Sequence, residues 1–144
     1  MQCTRFTDYA LRVLVYVAQR PDEWVTIRQI SEAYGISRNH LMKVVSFLGN
    51  RGYLLSQRGP GGGVRLQLPP QQIRLADVLV DAEGGMDLLP QPESLPDSLV
   101  DAHARLGQML DHAVQAFLQD LNGQTLADLL TPVPQTRSRP TVST

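Results

Sequence analysis

Residues 26–51 read Thr26-Ile-Arg-Gln-Ile-Ser-Glu-Ala-Tyr-Gly-Ile-Ser-Arg-Asn-His-Leu-Met-Lys-Val-Val-Ser-Phe-Leu-Gly-Asn-Arg51. Thr26 and Gln29 make a capping box: a threonine hydroxyl and a glutamine amide three residues apart serve the free N–H groups at a helix start. Ile27, Ile30 and Ala33 give this helix, over 26–34, a buried stripe. Gly35 follows, the residue type that takes the left-handed conformation at a helix end with least cost. Only Ile36 separates it from Ser37, a second N-cap. The next helix runs over 38–50, with Leu41, Val44, Val45 and Leu48 on its apolar face and Gly52 ending it. Two helices joined by a short turn containing glycine are the signature of a helix-turn-helix.

Upstream, residues 4–19 repeat Phe6, Tyr9, Ala10, Val13, Leu14 and Val17 at three- and four-residue steps, which predicts a helix. Pro21 and Asp22 stop it, and Trp24 and Val25 lead into Thr26. Downstream, strand candidates at 53–57 and 64–68 flank Arg58-Gly-Pro-Gly-Gly-Gly63, a hairpin with a glycine-rich tip. Directly after a helix-turn-helix, such a hairpin reads as a wing. Pro69-Pro70 marks a break. Residues 73–81 read as a short amphipathic helix carrying Ile73, Val78 and Val80. Residues 83–96, rich in glycine, proline and acid, read as a loop. Pro96 suits the first turn of a long helix over 97–121. Leu99, Ala102, Leu106, Leu110, Ala113 and Phe117 step along one side of it at the spacing of a packed seam. Asn122-Gly123 closes it, and 126–130 adds one turn.

The expected fold is mainly α with a small β-hairpin wing. A winged helix-turn-helix occupies 1–82 and a loop 83–96. A long helix and a short C-terminal helix fill 97–130. The polar tail 131–144 has three prolines and is expected to be disordered.

The chain has 144 residues, about the length of one domain, enough to bury a core without staples. One cysteine, Cys3, allows no internal disulfide and fits a reducing compartment. The N-terminus lacks the apolar stretch of a secretory signal. No apolar run approaches the roughly 20 residues of a membrane span. A cytoplasmic location without membrane contact is expected. The net charge of −1 hides a division. Residues 1–68 carry nine Arg and Lys against four Asp and Glu, whereas residues 69–144 carry four against ten. A basic first half and an acidic second half suggest that one half meets a polyanion.

The helix over 38–50 has a second face. With Leu41 inward, a 100° rotation per residue sets Asn39, Lys43, Ser46 and Asn50 outward. Arg38, Asn39 and His40 lie in its first turn, the part of a recognition helix that reaches base edges in the major groove. Asn pairs with adenine and Arg with guanine through two hydrogen bonds each, while Lys43 suits a phosphate. In the wing, Gly61 and Gly62 let backbone approach a phosphate chain, and Arg58 and Arg65 bracket the tip. The tip is no nucleotide-binding loop. The third glycine of the dinucleotide fingerprint falls on Val64, and the Lys-Ser/Thr ending of a phosphate loop is absent.

The start Met1-Gln-Cys-Thr-Arg-Phe-Thr-Asp-Tyr-Ala-Leu-Arg12, the segment 34–43 and the stretch Arg58-Gly-Pro-Gly-Gly-Gly-Val-Arg-Leu66 together resemble the Rrf-two (Rrf2) family of bacterial winged-helix regulators. The likeness is nearest to the family's nitric-oxide-sensitive repressors and covers about residues 1–130, including 115–121 and 125–129. It implies a homodimeric repressor that crosses its long helices through Leu99, Leu106, Leu110, Ala113 and Phe117 and binds palindromic double-stranded DNA. The residues expected to face DNA are Thr4, Arg12, Thr26, Ser37, Arg38, Asn39, His40, Lys43, Arg58, Gly61, Gly62 and Arg65.

Many relatives sense through an iron–sulfur cluster held by three cysteines in the loop before the dimer helix. Here that loop has none. The third ligand position falls on Ala104, and the earlier two near Ser98 and Glu93. The resemblance matches Asp8 to the aspartate that completes the cluster in the nitric-oxide sensors, but one carboxylate does not replace three thiolates. No conventional cluster and no other cofactor is expected. Asp8 instead suits the start of the first helix.

Other routes to a signal stay open. Cys3, near a helix start and Arg5, is a redox candidate. His103 and His112, with Asp8 or Glu93 from a second chain, could form a metal site without cysteine. Met86, Leu88 and Leu89 could line an effector pocket. A helix-turn-helix used only for protein contacts is the remaining rival, and the basic head argues against it. No nucleophile–base pair, paired carboxylates or zinc-ligand spacing points to an enzyme.

Overall fold

The computed structural model describes residues 1–133; the tail expectation for 134–144 lies outside the described residues. The order is α1 (Arg5–Ala18), α2 (Ile27–Tyr34), α3 (Arg38–Asn50), β1 (Leu54–Gln57), β2 (Gly63–Leu66), α4 (Leu75–Glu83), α5 (Asp97–Leu121) and α6 (Leu126–Leu129), with a single 3-10 turn at Pro70–Gln72 before α4. The chain is mainly helical, with one two-stranded antiparallel hairpin that pairs Leu54 with Leu66 and Gln57 with Gly63.

Capping sets the ends of the first three helices. The Thr4 hydroxyl accepts the Thr7 N–H at the start of α1. Thr26 and Gln29 form the full capping box of α2, and Gly35 ends it at φ 66°. The Ser37 hydroxyl accepts the His40 N–H and opens α3. The core is one cluster. Ala10, Val13, Leu14 and Val17 of α1 meet Ile30 of α2, and Leu41, Val44 and Leu48 of α3. Val25, Val64, Ile73, Val78 and Leu126 complete it. Burying each such side chain stabilises the fold by roughly 1.5–3 kcal/mol before entropy is counted.

Four details depart from the sequence reading. Ala33 is exposed, so the buried face of α2 narrows to Ile30, with Ile27 half-buried. Val25 is more than a lead-in. Its N–H and carbonyl pair with Val64 at 3.0 and 2.7 Å, adding a third edge to the hairpin. Gly63 sits where a Cβ would run into the Val25 carbonyl, so only glycine admits this pairing. Ile73 is extended and buried, and α4 starts at Leu75. The cause is a backbone exchange: Ile73 O accepts the Leu126 N–H at 2.8 Å, and Gln124 O accepts the Leu75 N–H at 3.0 Å. α6 thus returns to the head and plugs Leu126 into its core. Finally, α4 runs through Glu83, so the boundary at residue 82 cuts its last turn, and Pro96 is the N-cap of α5 and lies outside its first turn.

Glu83 ties α4 to α1. Its Oε1 accepts the Thr7 hydroxyl at 2.6 Å, the Thr4 N–H at 2.7 Å and the Thr4 hydroxyl at 3.1 Å. Thr7 is almost wholly buried, so this carboxylate satisfies a hydroxyl that water cannot reach. The Thr7 hydroxyl and the Thr4 N–H hold the Glu83 carboxyl below its ordinary pKa. A carboxyl depressed in the folded state adds stability that is present above its unfolded pKa and is lost as pH falls through the folded one. Glu83→Gln is therefore expected to lose about 1 kcal/mol at neutral pH. The gap to wild type should narrow in denaturant melts as pH falls below the ordinary glutamate range and close once the folded carboxyl is protonated. An equal gap at neutral and at low pH would show that charge is not the source.

Candidate nucleic-acid interface

Leu41, Val44, Val45 and Leu48 of α3 are buried, which leaves Arg38, Asn39, His40, Lys43, Ser46 and Asn50 exposed. The outward face agrees with the rotation argument. The first turn is fixed by three contacts. Ser37 caps it. The Ser31 hydroxyl donates to the Ile36 carbonyl at 2.6 Å, closing the corner before it. The His40 ring lies 6.4 Å from that of Tyr9. Ion pairs among the described residues use Arg12, Arg28, Arg51 and Arg74. Arg38, Lys43 and Arg58 join none of these pairs, so their charges stay available to a polyanion. Met42, passed over in the sequence, is also exposed beside Lys43. A side chain of this kind suits the thymine methyl group. The 100° rotation places it on the flank of α3, between the buried and outward faces, where sequence alone does not decide its exposure.

The wing tip is exposed from Arg58 to Gly61, with Gly62 half-buried. Gly59 and Gly61 take φ 89° and 74°, values that favour glycine. A Cβ on Gly62 would overlap the Gln57 carbonyl. The tip is therefore bare backbone beside one free arginine. Arg65 behaves differently from the sequence expectation. Its guanidinium lies 4.5 Å from the Trp24 ring centroid and donates to the Asp22 carbonyl at 3.0 Å. Its Nε is buried without a partner. Arg65 fastens the wing to the α1–α2 connection and does not bracket the tip as a free charge.

The remaining candidates divide in the same way. Thr4 spends its N–H and hydroxyl on Glu83. Arg12 pairs with Asp8 at 3.0 Å and lies 5.6 Å from the Tyr34 ring centroid. Thr26 and Ser37 are caps whose hydroxyls serve backbone N–H groups. The free candidates, Arg38, Asn39, Lys43 and Arg58, lie on α3 and at the wing tip.

α5 has two apolar sides. Val100, Gly107 and Val114 lie toward the loop and α4, and Val114 is its only buried residue. The other side carries Leu99, Leu106, Met109 and Phe117, all 45–63% exposed, together with exposed Ala113. Leu110 is half-buried at its margin.

Between the loop and α5 lies a cavity of about 780 Å³ lined by Leu88, Leu89, Pro92, Val100, His103 and Ala104, among others. Met86 lies outside it, in a smaller neighbouring cleft of about 340 Å³. His103 lines the larger cavity, while His112 is exposed elsewhere on α5. Among the described residues no three His, Cys, Asp or Glu side chains come together as metal ligands. Cys3 is exposed at the N-terminus, away in sequence from the loop.

The Rrf2 family model, described as an iron-dependent transcriptional regulator, matches residues 3–132. A putative transcriptional regulator from Listeria innocua superposes with a TM-score of 0.70 at 27% identity, over 96% of this chain and 94% of that one. The oxidised form of Staphylococcus aureus CymR gives 0.72 at 24% identity, over 94% and 100%. CymR of B. subtilis, the global cysteine regulator of that organism, gives 0.64 at 22%, over 90% and 95%. These likenesses confirm a winged-helix fold. No helix among the described residues is long and apolar enough to cross a membrane. With the family match spanning nearly the whole chain, and its head and wing built as described, this protein belongs to the Rrf2 family of transcriptional regulators.

Proposed function

We propose that the chain is a homodimeric, sequence-specific DNA-binding repressor that acts in the cytoplasm without a conventional iron–sulfur cluster. The observation that carries this reading is the exposed first turn of α3, with Asn39, beside an exposed glycine wing, with Arg38, Lys43 and Arg58 outside the ion pairs among the described residues. Bidentate donors at a helix start suit base edges, and a wing of bare backbone plus one arginine suits the phosphate chain. The apolar stripe of α5 from Leu99 to Phe117 has the period of a helix seam and is exposed within the chain, and a second copy presenting the same stripe covers it by two-fold symmetry. Two heads related by a two-fold axis read a palindrome. The repressor role rests on the family resemblance.

The donor set does not fit an iron–sulfur cluster. The loop has no thiol, Ala104 is a wall of the cavity, and the Asp8 carboxylate is held by Arg12. A second reading of the signal is favoured by that cavity, whose volume lies in the range of small-molecule sites. In this reading an effector occupies the place that relatives give to a cluster.

Fluorescence anisotropy against genomic fragments should show specific binding that weakens steeply with salt. Arg38→Ala and Asn39→Ala should each cost about 1–3 kcal/mol of specific binding and leave the melting temperature unchanged. Lys43→Ala should weaken all sequences alike and lower the salt slope by about one. Absence of binding to every fragment at low salt would overturn the regulator reading. For the assembly, Leu106→Asp with Leu110→Asp should halve the mass in sedimentation, and an unchanged mass would remove α5 from the interface. Anaerobically purified protein is expected to contain no stoichiometric iron and sulfide. A bound cluster with its visible absorption band would sink the cluster-free assignment.

A further inference from the structure

Tyr53 stands where three elements meet. Its N–H donates to the Leu48 carbonyl at 2.9 Å, closing the end of α3. Its own carbonyl accepts the Gln67 N–H at 2.9 Å, just beyond β2. Its ring is buried, and its hydroxyl donates to Asp81 Oδ2 of α4 at 2.7 Å. The other oxygen of Asp81 accepts from Arg51, the C-cap of α3, at 3.2 Å. One carboxylate on α4 therefore holds both the C-cap of α3 and the residue that leads into the first wing strand. Burial and the hydrogen bond to Asp81 push the Tyr53 hydroxyl well above its ordinary pKa, so it remains a donor at any physiological pH.

We infer that Asp81 is a positioning residue for DNA reading: through Arg51 and Tyr53 it sets the angle at which α3 and the wing are presented together. This rests on the DNA-binding reading above. Leverage supports it. α3 spans 13 residues, and Asp81 grips its C-terminal end, whereas the base-reading residues lie at the other. At a rise of 1.5 Å per residue the two ends are about 18 Å apart, so a tilt of about 5° at the grip moves the first turn by roughly 1.6 Å. Hydrogen bonds to base edges fail over such a distance. Contacts from Lys43 and the wing arginine to phosphate, which are less directional, survive it. Loss of the grip should therefore reduce specific binding far more than non-specific binding. The grip also has a controlling neighbour, because α4 packs on α1 and on α5. A shift of α5 that moves α4 has a direct route to α3 through this carboxylate.

The test compares full-length wild type with Tyr53→Phe, Asp81→Ala and Asp81→Asn. Specific and non-specific DNA are titrated separately, well below each variant's melting temperature. Tyr53→Phe and Asp81→Ala should lower the ratio of specific to non-specific affinity about tenfold with an unchanged salt slope. Asp81→Asn keeps an acceptor for the Tyr53 hydroxyl and should recover most of that ratio. Equal loss on both DNAs, tracking the fall in melting temperature, would show that the carboxylate only stabilises the fold. An unchanged ratio in Tyr53→Phe would likewise overturn the role. If Asp81→Ala fails to fold, Tyr53→Phe decides alone. Wild type that binds no specific DNA would remove the regulator reading and the inference with it, whereas sound wild-type binding with unaffected variants would remove only the role of Asp81.

Discussion

The corner at Gly35-Ile36-Ser37 is the constraint on which the head depends. Three residues must reverse one helix into another and still bury an apolar side chain. Gly35 does the first at positive φ, and Ile36 does the second by turning its side chain into the core. Ser37 starts the next helix, and the Ser31 hydroxyl holds the Ile36 carbonyl in place. With the corner fixed, Leu41 can only point inward, and the rotation of α3 follows. Asn39 and Lys43 are then outward by geometry.

Around this corner, apolar and polar contacts divide the work. Apolar burial joins α1, α2 and α3 without regard to fine angle. Directional contacts fix the angles afterwards: Glu83 on Thr4 and Thr7, Asp81 on Tyr53 and Arg51, and Arg65 on Trp24. Two of these three come from the last turn of α4. That short helix is the hinge plate of the molecule. It faces α1 on one side and α5 on the other, and its last residues run into Gly84 and Gly85, both at positive φ, where the loop begins.

What the sequence showed and what it hid follow the same division. The caps at Thr26 and Ser37, the glycine at 35, the stripe of α3 and the length of α5 are local features, legible within one or two turns. So were the exposed candidates Arg38, Asn39 and Lys43, since helical rotation needs no tertiary information. The hidden parts all need a partner far along the chain. Val25 pairs with Val64, Ile73 with Leu126, and Arg65 lies on Trp24. Arg65 looked like a phosphate contact because its position in the hairpin was visible while its tryptophan platform was not. The Thr4–Glu83 contact was hidden for the same reason, whereas the Asp8–Arg12 pair, four residues apart on one helix, was legible from spacing and passed over. Ala33 failed on a smaller point: an eight-residue helix beside a compact core has room for a narrow buried face only.

α5 is long and well formed, yet among its 25 residues Val114 alone is buried within the chain. The head shares one continuous core, whereas α5 is held chiefly along α4, and the chain that follows it is anchored in the head by Leu126. Local stability follows buried contacts. Within a single chain the amide protons of α5 are therefore expected to exchange through small, frequent openings, and those of α1 and α3 only with unfolding of the whole head. The head is the rigid part and α5 the compliant one, and beyond its packing on α4 that helix gains further protection from whatever covers Leu106 and Phe117.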